Sequence, residues 1–83
     1  MARVIFFGSL GDRVSSPELT IDLGSRTASA RDIFDQVATD NPSLLIAQSS
    51  TPIKVACNQQ LVDWDTPISN TDELAFLPPV TGG

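Results

Sequence analysis

The residue types that usually carry chemistry are scarce in this chain. It has no histidine, so the usual general base and the commonest metal ligand are both absent. No nucleophile–base pair can be assembled from what remains. Asp63, Asp65, Asp72 and Glu73 lie near one another in sequence, but their spacing lacks the EF-hand pattern. They are read as a solvated acidic face, and no metal is expected. Cys57 is the only cysteine, which excludes an internal disulfide. It falls in an apolar stretch and is expected to be a buried, inert thiol, not a persulfide carrier. Trp64 stands between Asp63 and Asp65 and is expected to anchor a loop by partial burial. The domain is not expected to catalyse on its own.

The remaining chemistry lies at the C-terminal end, Pro78-Pro79-Val80-Thr81-Gly82-Gly83. The two prolines have fixed φ and send the chain out stiff and extended. Val80 is a single apolar anchor, Thr81 is small, and Gly82 and Gly83 have no side chains. Such a segment can thread a channel too narrow for any Cβ. The carboxylate of Gly83 is unhindered. A carboxylate is a poor electrophile until activated. Adenylation by ATP supplies a leaving group, and a sulfur donor that displaces AMP leaves a thiocarboxylate. Sulfur is then carried on the C-terminus, with no need for a cysteine. Diglycine alone is a weak signal. Diglycine after a diproline exit from a strand is a stronger one.

The segments that precede this end read as one small domain. The chain has 83 residues, 41% of them hydrophobic and 18% charged, which is globular composition. A core of this size leaves little room for an enclosed catalytic cleft. Residues 3–7 are β-branched and aromatic, as in a buried strand. Residues 8–17 read as a turn region. Residues 18–23 alternate, with Leu19, Ile21 and Leu23 inward. Ser29 reads as a helix N-cap with Asp32 three residues on. Ala30, Ile33, Phe34, Val37 and Ala38 form one apolar stripe. Asn41-Pro42 ends that helix, and residues 43–48 offer one further short turn. Residues 53–57 read as a strand, residues 58–60 as a turn, and Leu61-Val62 as a short return strand. Residues 63–72 read as mostly loop, and residues 73–77 as the last strand, stopped by Pro78. The order strand, strand, helix, strand, strand, strand predicts an α+β fold, a mixed sheet packed on one main helix. Ubiquitin-like β-grasp topology is the natural candidate, with the first and last strands parallel at the sheet centre. Residues 1–77 would form this domain and residues 78–83 an extended, flexible tail.

The net charge is −5, with the five basic residues scattered, so no stripe for nucleic acid is present. The acidity fits either simple solubility or a basic docking partner. No apolar run is long enough for a membrane span. No signal peptide is read at the N-terminus, and the cytoplasm is the expected location.

Residues 72–83, with the sequence Asp-Glu-Leu-Ala-Phe-Leu-Pro-Pro-Val-Thr-Gly-Gly, strongly resemble the ending of the small subunit of molybdopterin synthase (MoaD), a branch of the ubiquitin-like sulfur-carrier family (MoaD/ThiS). Residues 55–62 resemble that family's turn before the last strand, with Asn58-Gln59 matching well, and residues 3–7 match its first strand. The resemblance covers the chain in order and is most specific toward the C-terminal end. Residues 9–51 carry pattern more than identity, and Cys57 stands where an aliphatic residue is expected. The resemblance implies that Gly83 is adenylated by an E1-like activating enzyme using ATP, then converted to a covalent thiocarboxylate with sulfur from a donor protein. It implies that Pro78, Pro79, Val80, Thr81 and Gly82 insert into the synthase large subunit, which holds the catalytic residues. Sulfur then passes to cyclic pyranopterin monophosphate, and two transfers build the dithiolene. The assembly is implied to be a heterotetramer, and no cofactor is bound by the carrier itself.

Strand alternation offers an independent indication of a docking face. Val4 and Phe6 are predicted to face the helix, as are Leu74 and Phe76. Arg3, Ile5 and Phe7 then share the opposite face with Glu73, Ala75 and Leu77, and Leu61 is expected close by. Clustered exposed apolar groups mark an interface, and the resembling family uses residues matching Phe7, Leu61 and Leu77 at its partner contacts. Other readings are a carrier serving the thiazole of thiamine or an amino-acid precursor, a ubiquitin-like modifier joined to lysines, or an interaction module with incidental glycines.

Overall fold

The two-residue periodicity of the first and last strands sets which side of the sheet each residue faces. In the computed structural model, which describes residues 1–79, β1 (Ala2–Phe6) runs parallel to the final strand β7 (Glu73–Leu77). The elements between them are a 3-10 helix (Gly8–Arg13), β2 (Glu18–Ile21), β3 (Ala28–Ser29), α1 (Ala30–Asp40), α2 (Ser43–Ser50), β4 (Lys54–Cys57), β5 (Gln60–Val62) and β6 (Pro67–Ile68). The main sheet has the order β2-β1-β7-β4-β5, and every pairing except β1 with β7 is antiparallel. This is the mixed α+β sheet expected, with the first and last strands side by side and β7 at its centre.

Helix α1 forms where the apolar stripe and the cap agree. Ala30, Ile33, Phe34, Val37 and Ala38 are all buried, and the Asp32 N–H donates to Ser29 Oγ at 3.0 Å. The two N–H groups before Asp32 are satisfied from elsewhere. Ala30 donates to the carbonyl of Thr66 at 3.1 Å and Arg31 to that of Trp64 at 2.9 Å. The segment read as loop over 63–72 therefore has a structural duty, and it contains β6, which pairs with β3. Asn41 closes the helix, donating from Nδ2 to the Val37 carbonyl and accepting from the Ser15 N–H.

The core lies between α1 and the inner sheet face. Phe34 meets Phe76 and Trp64 edge-on, each with ring centroids 5.2 Å apart, and Phe6 stacks on Phe76 at 5.2 Å. Trp64 is thus the loop anchor expected of it, partly buried against the core, with the Arg31 guanidinium 5.9 Å from its ring centroid. Val4, Phe6, Leu74 and Phe76 all face inward as alternation requires.

Three local readings are corrected. Residues 8–17 are not all turn, since Gly8–Arg13 is a 3-10 helix that buries Leu10. The turn after α1 is a two-turn helix, Ser43–Ser50, which buries Leu44 and Ala47. The acidic residues do not form one bare solvated face. Asp65 pairs with Arg31, Glu73 with Arg3, and Asp72 accepts hydrogen bonds from its own loop.

Candidate functional site

The sheet has one face under α1 and one face open. Register assigns the open face: Ile5 sits beside Ala75, Ala75 beside Ala56, and Ala56 beside Leu61, in a row across four strands. Leu77 lies one step further along, beside Lys54. The two central members of the row are alanines, and they are only 7% and 8% exposed although they lie on the open face. The expectation that Ala75 points outward is right in direction and wrong in exposure. Its small side chain is overtopped by taller neighbours, so it forms a floor.

Those neighbours are the residues singled out from the sequence. Phe7 is 46% exposed and Leu61 is 71% exposed, while Leu77 is half-buried. Together with Ala56 and Ala75 they line a groove of about 370 Å³, closed at one side by Gln59 and Glu73. A second hollow continues from it past Leu61 and Leu77 to Lys54, Pro78 and Pro79. The apolar groove therefore runs into the point where the chain leaves β7. Pro78 and Pro79 are half-buried and outside any strand. Val80, Thr81, Gly82 and Gly83, the rest of the segment expected to insert and react, lie outside the described residues.

Charge is arranged at the margins of this face. Arg3 sits at the far end and is held by two carboxylates, Glu18 (2.6 Å) and Glu73 (2.8 Å). Its hydrogen bond to Glu18 is the main reason its guanidinium holds its proton more firmly than usual. Lys54 marks the end where the diproline departs.

The turn that carries Leu61 has its own local logic. Only Asn58 and Gln59 lie between the paired residues Cys57 and Gln60, and both have positive φ, +51° and +70°. That is the tight hairpin turn whose twist matches the flanking strands, and Asn tolerates the left-handed region better than most residues. Asn58 also reaches the start of β7. Its Nδ2 donates to Asp72 Oδ1 at 2.9 Å, and its Oδ1 accepts the Glu73 N–H at 3.0 Å.

Cys57 is half-buried on the core side. Desolvation first, and the charge of Asp72 second, push its thiol above the ordinary value. A thiol shifted that way is a poorer nucleophile at neutral pH. Among the described residues, no three acidic or cysteine side chains converge on a metal position. No helix of the described residues is long and apolar enough to cross a membrane.

Phe7, Leu61 and Leu77, singled out by alternation and resemblance, line the groove, whereas its alanine floor was not expected. Two small residues on the open side of adjacent central strands are its signal. Alternation put Ala75 on that side, and only the register brings Ala56 next to it.

The chain is similar to known proteins in sequence and in structure. The model of the ThiS family matches residues 4–83. A protein named molybdopterin synthase sulfur carrier subunit, from Escherichia coli, is 31% identical over 83 residues, covering 100% of both chains. Among solved structures, small archaeal modifier protein 1 from Haloferax volcanii superposes with a TM-score of 0.76 at 23% identity, covering 99% of this chain and 98% of that one. A chain from a complex of subunits 1 and 2 of the molybdopterin-converting factor of Helicobacter pylori superposes with a TM-score of 0.64 at 24% identity, covering 99% of this chain and 97% of that one. Both structures share the β-grasp fold described above.

Proposed function

This chain belongs to the ThiS family, and on that footing we propose that it is the sulfur-carrier subunit of a molybdopterin synthase. The observation that carries the choice of acceptor is the end-to-end match to the Escherichia coli sulfur carrier subunit, which leaves neither chain with an unmatched part. The family description by itself fits other acceptors, such as the thiazole of thiamine.

The division of labour is the one the family resemblance implies. The Gly83 carboxylate attacks ATP on an E1-like activating enzyme, giving an acyl-adenylate and releasing pyrophosphate. A persulfide sulfur on a donor protein attacks the acyl carbon and expels AMP. A thiol reductant then cleaves the resulting S–S bond, leaving a thiocarboxylate on Gly83 and a disulfide on the donor side. The carrier then docks by its open sheet face, with Phe7, Leu61 and Leu77 as apolar contacts around the alanine floor. Pro78 to Gly82 enter the large subunit, whose residues catalyse transfer of the sulfur to cyclic pyranopterin monophosphate. The groove that runs into the diproline supports this reading, since one surface can hold the partner while the chain beside it enters the active site. The carrier binds no cofactor of its own, works in the cytoplasm, and takes its place in a heterotetramer with one carrier at each end of a large-subunit dimer.

Intact-mass spectrometry tests the proposal. Incubation with the activating enzyme, ATP and a sulfur donor should convert the chain to a form heavier by the exchange of one oxygen for sulfur. Deletion of Gly82-Gly83 should abolish that form. Stable co-purification with a thiazole synthase, or a Gly-Gly remnant on the lysines of other proteins, would overturn the molybdopterin reading.

A further inference from the structure

Four of the five basic side chains already have partners within the chain. Arg3 holds Glu18 and Glu73, and Arg31 holds Asp65. Arg13 donates to the Ser43 carbonyl at 3.2 Å, and Arg26 reaches that of Leu23. Lys54, the one lysine of the chain, is different. It is exposed and forms no ion pair among the described residues.

Register sets its position. Lys54 pairs with Leu77 and lies two residues from Ala56, so it projects from the open face of the sheet. With Leu61, Leu77, Pro78 and Pro79 it lines the hollow where the chain leaves β7. A lysine there covers apolar surface with its methylenes and keeps its ammonium at the rim. Asp63 follows Val62, the partner of Val55, and so stands opposite Lys54 at the margin. The two do not meet as an ion pair, and a pair between two exposed groups is worth little.

The far margin has the reverse sign. Glu18 and Glu73 share the single guanidinium of Arg3, which leaves a surplus carboxylate charge at that end. The open face is therefore an apolar groove with an anionic end and a cationic end. Apolar burial alone does not fix direction. A partner of complementary charge lies across this face favourably in one direction, and turned end for end it sets like charges together.

We propose that Lys54 is an orienting contact: its ammonium takes a carboxylate of the synthase large subunit, beside the place where the diproline enters it. The inference rests on the carrier function proposed above. Phe7, Leu61 and Leu77 hold the partner, and Lys54 sets which way round it sits.

The experiment uses carrier and large subunit together. A water-soluble carbodiimide joins an ammonium to a carboxylate in contact with it, with no spacer. Because the chain has one lysine, a side-chain amine link from the carrier reports a single position, and peptide mapping separates it from links through the α-amine. Wild type should give a link from Lys54 to an Asp or Glu of the large subunit. Lys54→Glu should lower kon about tenfold at about 50 mM salt and less than about threefold at about 0.5 M, where screening is strong. Lys54→Arg, which keeps the charge, should bind within about twofold of wild type, and Lys54→Met, which keeps the stem, should fall between. Tm measured alongside separates lost docking from lost folding. A complex that forms without a Lys54 link would overturn the inference. So would Lys54→Glu associating like wild type at low salt, or a loss as large at high salt as at low. A wild-type chain that forms no complex with the large subunit would overturn the carrier function itself, and with it this inference.

Discussion

Asn58 ties the β4–β5 hairpin to the start of β7 by holding Asp72: its Nδ2 lies 2.9 Å from Asp72 Oδ1, while its own Oδ1 takes the Glu73 N–H at 3.0 Å. The Asn58 backbone N–H donates to the Glu73 carbonyl at 2.8 Å. One residue therefore completes a turn, joins two strands and holds the hairpin that presents Leu61.

Substitution separates its two roles. Asn58→Gly keeps the left-handed φ and loses the side-chain bonds, and it should cost about 1 kcal/mol. Asn58→Ala loses both and should cost about 2 kcal/mol. Urea unfolding curves read the difference. Equal stability of the two variants would mean that the positive φ contributes nothing.

Asp72 and Asp22 are expected to make the fold sensitive to acid. The Ser69 N–H and the Asn58 amide hold the Asp72 carboxyl below its usual range, and the Asn70 amide and Gly24 N–H do the same for Asp22. The unfolded chain therefore binds protons at these sites more readily than the folded chain. Their stabilising contribution is complete above the ordinary carboxylate value of about 3.9 and is lost as pH falls through the lower folded values. Thermal melts should show Tm flat above that value and falling below it. Asp72→Asn should lower Tm at neutral pH and flatten the acid limb. An unchanged acid limb in that variant would assign the sensitivity to other groups.

The open face is expected to matter for binding and little for folding. Leu61→Asp changes a largely exposed side chain, so stability should stay within about 0.5 kcal/mol. Affinity for the large subunit should fall by about 2 kcal/mol, roughly thirtyfold, as for an apolar anchor at an interface centre. Ala75→Leu raises the groove floor and should weaken binding similarly. Calorimetric titration of each variant measures this, and wild-type affinity in both would remove this face from the docking reading.

Phe34 is the opposite case. It is fully buried and touches both Phe76 and Trp64. Phe34→Ala should cost about 3–5 kcal/mol, enough to unfold much of a domain this small at room temperature. Exposed Ile46 on α2 is its control: Ile46→Ser should change stability by less than about 0.5 kcal/mol. Circular dichroism of the two variants distinguishes them at once.

What could be read without coordinates was whatever rests on local periodicity. Alternation in residues 3–7 and 73–77 assigned the inner and open faces, and the stripe behind Ser29 found α1 and its cap. Non-local matters were harder to read. Strand β6 exists because Ala28 and Ser29 lie opposite Ile68 and Pro67, and α1 takes carbonyls from Trp64 and Thr66. No pattern within residues 63–72 announces those partners. Ser49 and Ser50 look like helix breakers, yet both hydroxyls donate back to the Ile46 carbonyl and end α2 in place. The docking candidates followed from alternation and resemblance. The alanine floor needed the register of β4 against β7.

Strand β7 is gripped on both sides, by β1 and by β4, and the segment proposed to enter the partner is joined directly to it. A pull along that segment loads both ladders in shear, so their hydrogen bonds must yield together. An edge strand under the same pull could be peeled away one bond at a time. The fold thus gives its C-terminal end a mechanical anchorage, and a partner that draws the segment inward works against the whole sheet.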